Sequence, residues 1–204
     1  MKRREIQRLV QQYLAPSFPE LELTGDLLAR WDGDPIARGF VFDRHAGFVR
    51  LEAWAQPLFV PADDVSLGIA QTLGDFWLDG DADESTVAAE MLQRAESVGR
   101  AFLDRVSDCS SLAQTVLEMP GDRMDPSHAA QVSGYCLIWL GRAEEAAHQL
   151  DHAIEELHPI EAEWDLELLG EIKLVCETLE RSEDEARALL DARARETARA
   201  LKLV

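Results

Sequence analysis

The segment from Ser133 to Pro159 constrains the fold of this chain most strongly. Apolar residues recur in it at intervals of three and four, the spacing that places them on one face of an α-helix. Gly141 interrupts the pattern once, as glycine often does just past a helix end. Two short amphipathic helices with so brief a connection bury their apolar faces by folding back on each other. We therefore predict a helical hairpin here, and its residues indicate packing rather than chemistry.

Further helices are predicted on both sides of this hairpin. Asp125 followed by Pro126 is a typical helix start, since the carboxylate accepts hydrogen bonds from free amides and proline suits the first turn. Ser182 and Glu185 have the spacing of a capping box. The sequence thus predicts an all-helical C-terminal unit over residues 121–204. Its helices are expected over residues 125–140, 143–157, 161–179 and 182–203.

Alternating apolar and polar residues in the first half of the chain predict strands separated by turns that contain Asp and Gly. In one of them the alternation places Arg50 and Glu52 together on the polar face. An antiparallel β-meander of three or four strands is expected, because short turns join antiparallel neighbours. Residues 63–78 are ambiguous between helix and strand, and we favour a strand over residues 66–72. The other predicted strands comprise residues 21–31, 36–43 and 48–56.

Helices with apolar stripes are predicted to cover one side of this sheet, over residues 2–14, 85–106 and 108–119. The expected fold class is therefore α+β. An N-terminal unit over residues 1–120 would contain the antiparallel β-meander with its covering helices, and the helical unit would pack on it. A segment with two prolines and a glycine, residues 120–126, places the boundary between residues 120 and 121.

Charge excludes several classes of partner. The chain has 39 acidic and 20 basic side chains, a formal net charge of -19, which repels nucleic-acid phosphates and anionic lipid headgroups. We predict no direct nucleic-acid binding and no membrane association. No apolar run approaches the roughly 20 residues that span a bilayer, and the N-terminal segment lacks the apolar core of a signal peptide. A cytoplasmic location is expected.

No arrangement of nucleophiles or phosphate-binding glycines points to catalysis, so no catalytic residue and no cofactor is predicted. The chain has three cysteines, Cys109, Cys136 and Cys176, without the spacing of a redox or zinc motif. The last two, Cys136 and Cys176, lie among apolar helical neighbours, and we expect all three cysteines to be buried, reduced thiols.

Two sets of side chains have spacings that metal sites also use. His148 and His152 are four residues apart on one predicted helix, although exposed imidazoles are the simpler interpretation. Asp79, Asp81 and Asp83 imitate the start of a calcium loop, but the position that requires glycine holds glutamate, and a polar turn leading into a helix explains them equally. No metal is predicted, and these residues remain weak candidates.

Acidic residues concentrate in one part of the chain. Fifteen of them lie between residues 144 and 185, where Lys173 and Arg181 are the only lysine and arginine. A negative helical surface of this kind attracts a basic protein, although a solvated, solubilising face has the same composition. The candidate partner-binding residues are Glu144, Glu145, Glu155, Glu156 and Glu163.

The predicted hairpin resembles the tetratricopeptide repeat, through small and apolar residues at the spacings where paired helices of that family cross. The resemblance covers residues 130–159, departs from the family at Ala130 and Ala143, and has a weaker second copy at residues 170–199. It implies a helical scaffold that binds other proteins. Its residues are Gly134, Leu137, Gly141, Ala143, Ala146, Leu150 and Ala153.

In the segments 25–28, 38–40 and 56–61, the first half of the chain resembles uncharacterised bacterial α+β proteins of the immunity type. That resemblance implies inhibition of a toxin without catalytic residues. We therefore expect a non-catalytic cytoplasmic protein that presents an acidic helical surface to a basic partner. A small metal-dependent hydrolase and self-association through a helical groove are the alternatives.

Overall fold

The computed structural model of the protein describes residues 3–31, 33–77, 83–160 and 162–204. Contacts group the chain into two compact units. Unit 1 consists of Met1–Gln56, Asp64–Arg105 and Ala198–Val204, and unit 2 consists of Pro57–Asp63 and Val106–Thr197. The predicted α+β class is confirmed, since the strands form one antiparallel sheet in the N-terminal half and helices make up the C-terminal half.

The domain boundary predicted between residues 120 and 121 stays a prediction. By contacts, the chain divides between Arg105 and Val106. The helix Cys109–Leu117 belongs to unit 2 because it packs against the helix Pro126–Trp139. The turn with its two prolines and glycine therefore joins two helices of the same unit.

Unit 1 is built on a five-stranded sheet whose strands follow chain order. The prediction of three or four strands was too low, because Gly25, at φ +64°, turns the chain between two short strands where one segment was expected. The ambiguous segment after residue 63 forms a strand, as favoured, but this strand begins at Ala70. The strands are β1 (Glu22–Thr24), β2 (Leu27–Arg30), β3 (Ile36–Arg44), β4 (Phe48–Pro57) and β5 (Ala70–Trp77).

The predicted helices of unit 1 are present and pack closely on the sheet. A Cβ atom at Gly99 would lie 2.6 Å from the ring of Phe40 on β3, so glycine allows the helix to approach that strand. Phe18 also contacts this ring, with 4.8 Å between the centroids. The helices are α1 (Arg3–Leu9), extended by a π-helical turn (Val10–Leu14), then α2 (Glu84–Arg94), a second π-helical turn (Ala95–Gly99) and α3 (Arg100–Arg105).

Unit 2 is organised around its second helix, α5. Between Ala129 and Ile138 this helix is buried on every side, which explains why its sequence lacks a polar face. It begins where the sequence predicted, with Asp125 as its N-cap, and Asp108 caps the preceding helix, α4. The helices are α4 (Cys109–Leu117), α5 (Pro126–Trp139), α6 (Ala143–Glu156), α7 (Glu163–Arg181) and α8 (Glu183–Ala200), of which unit 2 holds the part up to Thr197.

The helical hairpin predicted from the sequence is formed by α5 and α6. Gly141 adopts φ +74° after the last turn of α5, and the amides of Gly141 and Arg142 donate to Ile138 and Leu137 respectively. These are the two hydrogen bonds of a Schellman motif, which requires a left-handed residue and so favours glycine. Gly134 lies where the helices cross, because a Cβ atom there would be 2.6 Å from Leu150.

Replacing Asp125 with alanine is expected to lower the free energy of unfolding by about 1 kcal/mol at pH 7. The carboxylate accepts from the amides of Ser127 and His128. The hydroxyl of Ser127 donates to it as well and is the main reason that the pKa of Asp125 is lowered. A carboxyl with a lowered pKa stabilises the folded state above its unfolded pKa and ceases to do so as the pH falls through the folded value.

Urea unfolding followed by circular dichroism measures this effect. The difference between Asp125→Ala and the wild type should be full near pH 7 and should shrink as the pH falls through the lowered pKa of Asp125 in the folded state, below which both states carry the proton. Asp122→Ala is the matched control, because Asp122 is exposed in the preceding turn. A difference that persists undiminished in acid would contradict the assignment of a charged cap.

Candidate partner-binding surface

A groove of about 270 Å³ lies between α6 and α7, and we call it the α6–α7 groove. On α6 its residues follow each other at intervals of about one turn, so that they share one face of the helix. Ala147, Cys176 and Leu179 form an apolar floor, while Glu144, Asp151 and Glu180 bring three carboxylates to the lining. Acidic rim and apolar floor thus come from the same two helices.

The three carboxylates of this groove are not neutralised locally. Within the part of the chain that the structure describes, Glu144, Asp151 and Glu180 make no ion pair or side-chain hydrogen bond. Two of them, Asp151 and Glu180, act on the half-buried thiol of Cys176. Burial, followed by the charges of Asp151 and Glu180, raises the pKa of Cys176 from an ordinary 9.0 to about 11.

Only one of the five acidic residues predicted to bind a partner lines the groove, and that residue is Glu144. Glu145 is exposed but pairs with Arg142, whose Nε lies 2.7 Å from its Oε1, and this pairing lowers the pKa of Glu145. Glu155, Glu156 and Glu163 are exposed elsewhere on α6 and α7. The structure therefore does not bring the predicted set together at one site.

Two groove carboxylates were missed by sequence reasoning. Asp151 lies seven residues after Glu144, which places both on the same side of α6, and this spacing could have indicated the pair. Glu180 comes from α7, and its position opposite Asp151 depends on how α7 is rotated against α6. Nothing in the local sequence of α7 specifies that rotation.

The histidines considered for metal binding do not assemble a site. His148 and His152 are exposed on α6, and Nδ1 of His152 lies 3.9 Å from Oε1 of Glu156. Across residues 3–31, 33–77, 83–160 and 162–204, no group of three or more His, Cys, Asp or Glu side chains has a geometry that could hold a metal ion.

The three aspartates of the candidate calcium loop are only partly described. Asp79 and Asp81 lie outside the described residues. Asp83 is the N-cap of α2 and accepts hydrogen bonds from the hydroxyls of Ser85 at 2.6 Å and Thr86 at 2.9 Å. These hydrogen bonds lower the pKa of Asp83. Its carboxylate therefore has a structural role in starting the helix.

The cysteines are free thiols. Cys109 and Cys136 are buried, as predicted, whereas Cys176, which was also predicted to be buried, is half-buried and lines the α6–α7 groove. Burial and, after it, the neighbouring Cys109 raise the pKa of Cys136. A thiol held in its neutral form is a poor nucleophile, so Cys136 does not have the environment of a reactive cysteine.

A second cavity, of about 560 Å³, opens beside α5 and the first half of α7, and we call it the α5–α7 cleft. Trp164, Glu167 and Glu171 lie on one face of α7, at intervals of three and four residues, and line it together. Gln131 of α5 and Pro61 of the short segment Pro57–Asp63 complete the wall.

A buried polar network supports this cleft. The Gln131 amide donates from Nε2 to the hydroxyl of Tyr135 at 3.3 Å, and its Oε1 lies 3.0 Å from Nδ1 of His128. Arg193 of α8 pairs with the carboxylate of Glu171. Burial raises the pKa of Tyr135, against the lowering effect of Gln131 and Arg193, so the hydroxyl keeps its proton.

No described helix is long and apolar enough to span a bilayer.

Comparison with known proteins found no relative of this chain. The resemblances to tetratricopeptide repeats and to immunity-type proteins stay predictions. No protein-family model, no curated protein and no solved structure matches this chain.

Proposed function

We propose that this protein is a non-catalytic binding protein that presents the α6–α7 groove to a basic segment of another protein. The observation that supports the proposal is the combination of three unpaired carboxylates, those of Glu144, Asp151 and Glu180, around an apolar floor. Carboxylates that were only solubilising would not need an apolar surface between them. A cytoplasmic location is part of the same proposal.

A lysine or arginine side chain of the partner suits this groove in both of its parts. The aliphatic stem packs against Ala147 and Leu179, and the charged end group reaches the carboxylates at the rim. Glutamate and aspartate from two helices surround that end group, so it can satisfy several hydrogen bonds at once. The net charge of -19 adds long-range attraction that speeds the encounter with a basic protein.

A narrower form of the proposal is inhibition of the immunity type. In this form the partner is a basic toxin, such as a nuclease, and the acidic surface covers the basic residues with which the toxin holds its substrate. The charge of the chain and the resemblance of its first half support this form. The tetratricopeptide-like hairpin of α5 and α6 supports the broader form, a helical scaffold that binds a polypeptide segment.

The test compares two triple variants that change the net charge equally. Glu144→Gln, Asp151→Asn and Glu180→Gln remove the charges of the groove, whereas Glu155→Gln, Glu156→Gln and Glu163→Gln remove exposed charges outside it. The immobilised wild-type chain captures its partner from a cell extract, and the purified partner is then titrated against all three proteins. We expect about tenfold weaker binding for the groove variant and little change for the other.

Salt provides the second readout. Raising the NaCl concentration should slow association of the wild type strongly, because the long-range attraction is screened. Equal weakening of both triple variants would show that general charge, and not the groove, holds the partner. Binding that is unchanged in both variants and indifferent to salt would overturn the proposal.

A further inference from the structure

The α5–α7 cleft differs from the α6–α7 groove in carrying a large exposed aromatic ring. Trp164 is 57% exposed and Leu166, which also lines the cleft, is 56% exposed. A cavity of about 560 Å³ lies within the usual range of small-molecule sites, about 300–1,000 Å³. Exposed tryptophan in a cavity of ligand size offers a flat, electron-rich surface for an apolar or cationic group.

The charges that the cleft offers to a ligand are negative. Glu167 has no ion pair or hydrogen bond with another described residue, so its carboxylate remains uncompensated. Glu171 is neutralised by Arg193, which is only 8% exposed and held against that carboxylate. An anionic ligand would therefore meet Glu167 without a free cation to offset it, whereas a cation would be attracted.

The cleft also has a polar group with a fixed orientation. Gln131 is 1% exposed, and its amide is held between His128 and Tyr135 by the hydrogen bonds given above. The Tyr135 hydroxyl lies 3.5 Å from the backbone carbonyl oxygen of Glu171, so the network connects α5 with the α7 wall. Buried polar groups that are held in this way orient a ligand without moving.

We propose that the α5–α7 cleft binds a small organic cation, an ammonium or guanidinium group on an apolar body. The cationic group lies over the face of Trp164 within reach of Glu167, and the apolar body covers Leu166 and Pro61. Ring quadrupole and carboxylate both attract the same positive charge, and both belong to one face of α7. This inference does not rest on the proposed function, since no residue of the cleft lines the groove.

The experiment titrates the ¹⁵N-labelled full chain with n-hexylammonium chloride and follows the tryptophan indole signals by two-dimensional NMR. The chain has five tryptophans, and Trp164→Phe identifies the signal of Trp164. We expect saturable shifts of this signal at millimolar concentrations. The matched neutral and anionic probes, n-hexanol and sodium hexanoate, should bind at least about fivefold more weakly, because they lack the charge that Trp164 and Glu167 attract.

Variants separate charge recognition from simple apolar contact. Glu167→Gln should weaken hexylammonium binding by about fivefold, to the level of hexanol, while Glu180→Gln in the α6–α7 groove should leave it unchanged. Equal binding of hexylammonium and hexanol, or an unchanged affinity in Glu167→Gln, would overturn the proposal in favour of an apolar crevice. The absence of any saturable shift of the Trp164 signal would overturn it as well.

Discussion

Replacing Gly134 with alanine is expected to lower the free energy of unfolding of unit 2 by about 2 kcal/mol. Its Cβ atom would lie 2.6 Å from Cδ2 and 2.8 Å from Cγ of Leu150, which is fully buried on α6. Because Leu150 is fully buried in a closely packed interior, accommodating this Cβ requires its packed neighbours or the two helices to shift. This steric cost exceeds the stabilisation of about 1 kcal/mol that alanine gives over glycine in a helix interior.

The same replacement at Gly170 is the matched control and should have the opposite sign. Gly170 also lies inside a helix of unit 2, but apart from its chain neighbours and the backbone of its own helix, no described atom lies within 4 Å of the position that its Cβ would take. Alanine there should stabilise unit 2 by about 0.5–1 kcal/mol, because its higher helix propensity is not opposed by a steric clash.

Urea unfolding with hydrogen exchange on peptides of α5 and α6 measures both variants. Exchange in α5 and α6 should accelerate in Gly134→Ala and slow or stay unchanged in Gly170→Ala. Similar stabilisation by both substitutions would mean that the two helices do not cross closely at Gly134. In the weaker second copy of the hairpin pattern, residues 170–199, no close helix crossing occurs at Gly170. The two copies therefore differ in how their helices pack at the glycine.

Cys176 is expected to react with thiol reagents about 100-fold more slowly than an ordinary cysteine at pH 8, since its pKa of about 11 leaves so little thiolate. The rate should rise about tenfold per pH unit until the pH approaches that value. Cys109 and Cys136 are buried, so the reaction of the native protein reports the groove floor. Cys176→Ser, which removes the reacting thiol, is the control.

Charged reagents make the same thiol a probe of the groove. A cationic methanethiosulfonate should react faster than an anionic one of similar size, because Asp151 and Glu180 attract it. Asp151→Asn with Glu180→Gln should reduce that preference but should lower the pKa of Cys176 only in part, since burial is its largest cause. Equal rates for the two reagents at low salt would contradict an acidic groove.

Local signals in the sequence predicted most elements well. A carboxylate or hydroxyl before a helical pattern, as at Asp108, Asp125 and Ser182, satisfies free amides wherever the helix later packs. Gly141 marks a helix end for the same reason, because a left-handed residue completes the hydrogen bonds of the last turn. These hydrogen bonds join residues within about one helical turn of each other, so both partners can be recognised in one short stretch of sequence.

The pairing of strands and the burial of strand residues were harder to predict from the sequence. Alternation predicted Arg50 and Glu52 together on a polar face of β4, yet Glu52 is buried. The pairing shifts register between Leu51 and Glu52 because β5 carries one extra residue, Leu73. Arg50 pairs with Asp75 on β5, and Glu52 lies 3.4 Å from the hydroxyl of Thr72. Both partners belong to a strand about 20 residues further along the chain, so pairing and not alternation decides the environment.

The sequence by itself determined the α+β class, the helical hairpin and the acidic character of its second half, because periodicity, capping and charge are properties of short segments. Only the tertiary structure decided which acidic residues lie together. Glu144, Asp151 and Glu180 line one groove while Glu155 and Glu163 lie elsewhere, although all five share one chemistry. The rotation of α7 against α6 makes that distinction, and it results from the packing of both helices rather than from either sequence.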